Sequence, residues 1–135
     1  MSILFPVFAM ALITFVVAPL ILTTRINSVK NGIVHIEYYE TFQGGKPPAS
    51  VLQTTRHWSN LYEAPTLFYI ACLMAFSLQM ESTLILAMAW LYVALRLIHS
   101  VIHLTYNRVY HRLFAFLTSQ FILIAIWILV FIEVI

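Results

Sequence analysis

The sequence predicts an all-α integral membrane protein, a four-helix up-down bundle that forms one domain over residues 1–135. Composition is the first reason: 62% of the residues are hydrophobic and only 9% are charged, whereas soluble domains are about 25% charged. The second reason is four apolar stretches, each near or above the roughly 20 residues that cross a bilayer. These stretches cover residues 3–23, 51–78, 83–104 and 113–135. Short connections join the last three, which makes consecutive helices antiparallel.

The first stretch is expected to be a helix of the bundle and not a cleaved signal peptide. No positively charged segment precedes it, and its apolar run is too long for such a peptide. The segment 24–50 that follows is the longest polar part of the chain. It contains Gly44-Gly45-Lys46-Pro47-Pro48, which breaks regular structure and leads into the second helix.

The remaining connections are tight turns. The second and third helices are joined around Glu81 and Ser82, and Tyr106-Asn107-Arg108 leads into the fourth helix. Pro65 lies inside the second helix, where it either kinks the helix beside Glu63 or is simply tolerated, as prolines in membrane helices often are.

Charge places the basic loops in the cytoplasm. Lys and Arg residues lie between the first two helices and around the last turn, whereas the opposite side offers Glu81 and Glu133 and no Lys or Arg. The positive-inside rule then puts both termini on the non-cytoplasmic side. A bacterial inner membrane fits, although an endoplasmic-reticulum membrane would give almost the same pattern. A net charge of +2 gives no reason to expect a nucleic-acid partner, and the single Cys72 offers neither a disulfide nor a metal site.

Two polar triplets inside apolar stretches indicate a functional site. Such residues cost roughly 2.5–3.5 kcal/mol each at the centre of a membrane helix and normally face a polar interior. Their spacings, i, i+4, i+7 and i, i+3, i+7, place each triplet on one helical face. Matching depths predict that Glu63 pairs with Arg96, Asn60 with His99 and Arg56 with His103. The triplets are Arg56, Asn60 and Glu63 in the second helix, and Arg96, His99 and His103 in the third.

The charge balance of these triplets leaves two interpretations open. An isolated Glu63–Arg96 pair could simply fix the register of two helices. Adding the two histidines and the arginines of the last turn sets one carboxylate against several cationic groups. This surplus suits an anionic ligand at the cytoplasmic end of the bundle.

The pattern Arg56-x3-Asn60-x2-Glu63-Ala-Pro65, followed by Arg96-x2-His99, resembles the MAPEG family, membrane-associated proteins in eicosanoid and glutathione metabolism. The resemblance covers nearly the whole chain, including the four helices, the long first loop and the basic turn before the last helix. It implies a homotrimer whose glutathione sites lie between subunits near the cytoplasmic face.

The resemblance also implies roles for individual residues. Arg56, Asn60 and Glu63 would contact glutathione from one subunit, and helix-three residues, here Arg96, His99 and His103, would complete the site. Arg25 matches a basic position near the glutathione carboxylates. Arg112, or alternatively Arg108, matches the arginine proposed to lower the pKa of the glutathione thiol. Glutathione would then be a cosubstrate, no metal would be needed, and a lipophilic partner would arrive from the bilayer.

The chain departs from the family pattern at four positions. His103 stands where tyrosine is frequent, Trp58 where one branch has histidine, and Leu52 and Gln53 replace a charged pair. Two hypotheses follow. One is a glutathione-dependent transferase or peroxidase that acts on lipophilic electrophiles; the other is a non-catalytic protein of the same fold that binds a lipid or an anion or serves as a scaffold. A small transporter is disfavoured because the first helix carries no charge.

Overall fold

The computed structural model describes residues 2–80 and 82–135. Glu81, in the predicted turn between the second and third helices, lies outside the described residues. The described chain is helical, with four long helices and one short one. These are α1 (Leu4–Lys30), α2 (Tyr38–Thr41), α3 (Ala49–Ser77), α4 (Thr83–Leu104) and α5 (Val109–Val134). The predicted four-helix class is confirmed, and the predicted helices 51–78, 83–104 and 113–135 agree with α3, α4 and α5 to within four residues at each end.

The first helix extends seven residues beyond its predicted end at residue 23 and stops only at Lys30. Nothing in this segment breaks a helix before Gly32, which has a φ of +65°. The hydroxyls of Thr23 and Thr24 bond back to carbonyls one turn earlier, at 3.0 and 2.9 Å. Arg25 therefore lies on a helix instead of in the predicted loop.

Helices α3 and α4 form the centre of the bundle. Each packs against the other and against both α1 and α5, whereas α1 and α5 make no contact with each other in the described chain. Helices α1 and α3 run antiparallel: Thr24 Oγ1 meets Thr54 Oγ1 at 3.0 Å near one end. At the other end, Ile3 and Phe76 line one cavity.

The interior changes character along the bundle axis. Its middle is apolar, where Met10, Phe68, Tyr92 and Ile126 are fully buried. The Phe68 and Tyr92 rings stack with centroids 4.4 Å apart and join α3 to α4. Toward the end that carries the basic residues, the buried residues become His57, Arg96, His99 and His103. The polar site thus lies between the packed apolar middle of the bundle and the end that carries the basic residues.

Three helices of the described chain are long and apolar enough to cross a membrane: α1, α4 and α5. Helix α3 is long enough, with 29 residues, but its first half carries Arg56, His57, Asn60 and Glu63. These polar residues lower the mean hydropathy of α3, so it is not among the three helices that length and composition alone identify as spans. The chain is a multi-pass integral membrane protein whose least hydrophobic helix carries the candidate site.

Candidate functional site

Three buried histidines lie together where α3, α4 and α5 meet. The ring centroid of His57 is 4.9 Å from that of His103 and 6.1 Å from that of His99, and the His99 and His103 rings are 5.7 Å apart. We call these three residues the histidine cluster. Each side chain is at most 3% exposed, so the cluster belongs to the interior of the protomer.

Arg96 is the deepest charged residue of the site and is fully buried. Its Nη2 donates to the backbone carbonyl of Asn60 at 2.8 Å and to Asn60 Oδ1 at 3.0 Å. The guanidinium also lies 5.8 Å from the centre of the Phe116 ring. Within the described residues, Arg96 Nε and Nη1 have no hydrogen-bond partner. The guanidinium is thus held by neutral acceptors.

The predicted pairing of Glu63 with Arg96 is therefore wrong within one chain. Asn60 takes that position, one helical turn closer to the start of α3, and the Glu63 side chain is exposed. The reason is depth: Asn60 lies nine residues from Val51, close to the eight residues between Arg96 and Leu104, whereas Glu63 lies twelve from Val51. The predicted pairing of Asn60 with His99 is shifted with it, because Asn60 is occupied by Arg96.

The inward face of α3 is centred on His57 and not on Arg56. Arg56 and Glu63 are exposed, Asn60 is half-buried, and His57 is fully buried. His57 was not predicted as a site residue, because the sequence prediction placed the polar triplet of α3 on the inward face. One signal could have revealed it: His57 begins an apolar stripe of helical spacing that continues through Leu61, Ala64, Phe68, Cys72 and Ala75.

Arg112 is bound from three sides, whereas Arg108 is not. The Arg112 Nη1 atom donates to Asn107 Oδ1 at 2.9 Å and to His103 Nε2 at 3.3 Å, and His99 Nδ1 donates to the Arg112 carbonyl at 3.1 Å. Arg108 is exposed and caps α5 without a side-chain bond. Of the two arginines that the sequence left open, Arg112 is the one whose side chain is held in place by hydrogen bonds.

The turn before α5 explains how Asn107 reaches Arg112. Asn107 has a φ of +49°, a left-handed conformation that asparagine tolerates better than most residues. Its backbone N–H donates to the Ile102 carbonyl at 2.9 Å, which closes the end of α4. This geometry turns the Asn107 side chain toward the first turn of α5, where Arg112 lies.

Arg25 lies in a separate group of residues at the same end of the bundle. Its guanidinium is 5.3 Å from the centre of the Tyr39 ring and 5.5 Å from that of Phe42. Ser28 Oγ and Tyr39 Oη share a hydrogen bond of 2.6 Å that ties this loop to α1. Because α1 and α5 do not touch in the described chain, one protomer does not bring Arg25 and Arg112 together.

The donor set suits an anion. No group of three His, Cys, Asp or Glu residues in the described chain could hold a metal ion, and Cys72 is buried as a free thiol in the apolar part of the bundle. Exposed Arg56 and half-buried Arg112 are guanidinium donors, which bind carboxylates with directed hydrogen bonds.

Comparison with known proteins agrees with this architecture. Nothing among the curated proteins or the solved structures matches the chain significantly. The family model of the MAPEG family matches residues 3–132, which cover α1 to α4, all but the last two residues of α5, and the whole of the site. The chain therefore belongs to the MAPEG family.

Proposed function

We propose that this protein is a glutathione-dependent transferase or peroxidase that acts on lipophilic electrophiles, and that it works as a homotrimer with glutathione bound between subunits. Membership of the MAPEG family supports a glutathione-related membrane function at the level of the family. The substrate, the trimer and the use of glutathione are the proposed part.

The observation that carries the proposal is the state of Arg112. One of its nitrogens, Nη1, is used by His103 and Asn107. Its Nε and Nη2 atoms donate no hydrogen bond within the described chain and are not enclosed by it. A guanidinium with one fixed nitrogen and two free ones offers a preorganised donor to a ligand. Beside a thiol, it would favour the thiolate, the nucleophilic form of sulfur.

The outward face of α3 supports a site between subunits. Arg56 and Glu63 are exposed in a single chain, and charged residues facing lipid are costly in a membrane helix. A neighbouring subunit and a polar ligand would remove both from lipid. Arg56 would then bind a glutathione carboxylate, Glu63 its amino group, and Arg25 a second carboxylate.

Each of these residues has one chemical task. Arg56 and Arg25 would bind the carboxylates of glutathione, Glu63 would orient its amino group, and Arg112 would stabilise the negative charge on its sulfur. Bound glutathione would supply a thiolate that forms a C–S bond as a leaving group departs. With a peroxide, the sulfur would form an S–O bond as the O–O bond breaks, and the released alkoxide would take a proton from water. A second glutathione would then convert the sulfenic acid to the disulfide with release of water. The apolar surfaces of the outer helices would let the lipophilic substrate enter from the bilayer.

Glutathione binding by the detergent-purified protein tests the proposal. Calorimetry should give saturable binding that Arg56→Ala weakens. The ultraviolet absorbance of the thiolate should appear on binding at neutral pH and should be lost in Arg112→Ala. Arg108→Ala is the matched control. It also removes one arginine charge, but from an exposed position four residues before Arg112, so this variant should retain the thiolate.

A non-catalytic protein that binds a lipid or an anion is the second candidate. It is favoured by one contact: the Gln53 amide donates to the His103 carbonyl. The Gln53 side chain, which stands where some family enzymes have a charged residue, thus serves an internal contact here. A folded oligomer that binds no glutathione at millimolar concentration would support this candidate and refute the first.

A further inference from the structure

The contact between His103 and Arg112 determines where the proton of His103 is. Arg112 Nη1 lies 3.3 Å from His103 Nε2. A guanidinium has only donors and stays charged in proteins. The imidazole nitrogen must therefore accept, which requires a lone pair on Nε2. His103 is then neutral, with its proton on Nδ1, a buried nitrogen that has no hydrogen-bond partner within the described residues.

We propose that neutral His103 is a positioning residue for Arg112: it fixes the guanidinium in the orientation that stabilises the thiolate, and protonation of His103 releases it. This inference rests on the proposed function for its catalytic consequence. The contact itself and the position of the proton do not depend on that function.

The surroundings of His103 keep its ring in one place. The side chain is 3% exposed, Gln53 of α3 donates to its backbone carbonyl, and the His57 ring packs against it at 4.9 Å. The backbone of His103 is thus bonded to α3 through Gln53, and its buried ring packs against His57. The acceptor is therefore presented at a fixed point on the wall of the site.

Charged and titratable groups surround His103 on three helices. His57 packs against it from α3, whose exposed side carries Arg56; His99 lies on its own helix α4, and Arg112 lies on α5. None of these groups is a carboxylate. Protonation would replace the lone pair that Arg112 uses by a positive charge beside a guanidinium, so the hydrogen bond would become a repulsion.

Asn107 shares the task but does not titrate. Its Oδ1 accepts from the same Arg112 nitrogen at 2.9 Å. Because Asn107 has a φ of +49°, glycine can replace it without strain while removing the acceptor. The pair of acceptors thus allows a titrating and a non-titrating contact to Arg112 to be removed separately.

The first experiment is independent of glutathione. Nitrogen-15 NMR of histidine-labelled protein in detergent should show His103 neutral at neutral pH, with a proton on Nδ1 and an unprotonated Nε2; His103→Gln assigns the signal. In Arg112→Ala the Nε2 signal should shift, because its donor is gone. A proton on Nε2, or a doubly protonated ring at neutral pH, would overturn the proposal.

The second experiment compares His103→Phe, which has no acceptor, with His103→Gln, whose carbonyl can accept near the position of Nε2. A lost hydrogen bond to a charged group corresponds to a decrease on the order of tenfold or more in kcat and in bound thiolate for the Phe variant. Glutathione affinity should change by only about twofold, since other residues hold the carboxylates. The Gln variant should regain most of the rate and lose the acid-side titration of kcat that belongs to His103.

The outcomes separate this inference from the proposed function. If the wild type forms a thiolate and His103→Phe forms it equally well, the positioning role is wrong and the function stands. If the wild type binds no glutathione, the function fails and the NMR result alone decides the contact. If His103→Phe does not fold, two other variants test the inference. Asn107→Gly must lower bound thiolate, and His103→Gln must lose the acid-side titration of kcat. Unchanged thiolate in the first variant together with an unchanged titration in the second would refute the inference.

Discussion

The contact between Asn60 and Arg96 predicts that two substitutions at one position differ in stability. Asn60→Ala removes the Oδ1 acceptor 3.0 Å from Arg96 Nη2 and leaves the backbone carbonyl at 2.8 Å. Bonds to charged groups contribute about 1.5–3 kcal/mol in soluble proteins, and bonds between membrane helices about 0.6 and up to about 1.7. Because Arg96 is fully buried, we expect a loss near the upper membrane value, about 1.5 kcal/mol.

Asn60→Asp keeps the shape of the side chain and places a carboxylate at the same position. The attraction to Arg96 and the cost of dehydrating the new charge largely offset each other. The Asp variant should therefore stay within about 1 kcal/mol of the wild type and be more stable than the Ala variant. Ser59→Ala is the control, because Ser59 is exposed on the neighbouring face of α3 and should change stability by less than about 0.5 kcal/mol.

The assay is the free energy of unfolding in mixed micelles, measured by circular dichroism as the fraction of denaturing detergent rises. Destabilisation by Asn60→Asp of more than about 2 kcal/mol, together with a neutral Asn60→Ala, would refute the observed register. That result would mean that Arg96 already has a carboxylate partner. Such a partner is what the sequence-based pairing of Glu63 with Arg96 requires. The sign of the difference between the two variants is therefore decisive.

Two further predictions concern buried residues. His57 is fully buried with no partner for either ring nitrogen in the described chain, so His57→Leu should leave the free energy of unfolding unchanged or raise it by about 1 kcal/mol; a loss above about 1 kcal/mol in the same detergent titration would mean that a polar contact had been removed. The free thiol of Cys72 is fully buried, so maleimide should modify it only after unfolding. Lys46→Cys should therefore be the reactive thiol in intact membranes and should label from the cytoplasmic side, whereas labelling from the opposite side would reverse the predicted orientation.

The number and type of the long helices could be predicted because hydrophobic length specifies three of them, and α3 follows a clear break and is long enough to cross the bilayer. Stretches such as 83–104 have no competing local structure, and Gly44, Pro47 and Pro48 mark the start of α3 clearly. The end of α1 was harder to predict, because polar residues such as Thr24 and Arg25 fit a loop and a helix equally well. Only the hydroxyl bonds along the helix and the stop near Gly32 show that it continues.

Which α3 residues face α4 could not be read from polarity. The polar triplet of α3 and the stripe that begins at His57 compete for the interior. Arg56 and His57 lie about 100° apart around the helix, because neighbouring residues are separated by that angle. Burying His57 costs less than burying Arg56, since imidazole can be neutral and guanidinium cannot. Arg96 goes inward nevertheless, because Asn60 offers it two acceptors. The outcome depends on pairings between helices, which single-helix patterns do not contain.

The two faces of α3 divide stability from binding. Asn60 points inward and bonds to Arg96 of α4, so removing its side chain should destabilise the protomer whether or not a ligand is present. Arg56 and Glu63 point outward and make no side-chain hydrogen bond within the described residues, so changes there should alter ligand affinity or subunit association. Arg112 belongs to both sides, since one nitrogen is bound inward by His103 while two remain free. Two acceptors, Asn107 and His103, hold this nitrogen, and under the proposed positioning role a single proton on His103 would remove one of them.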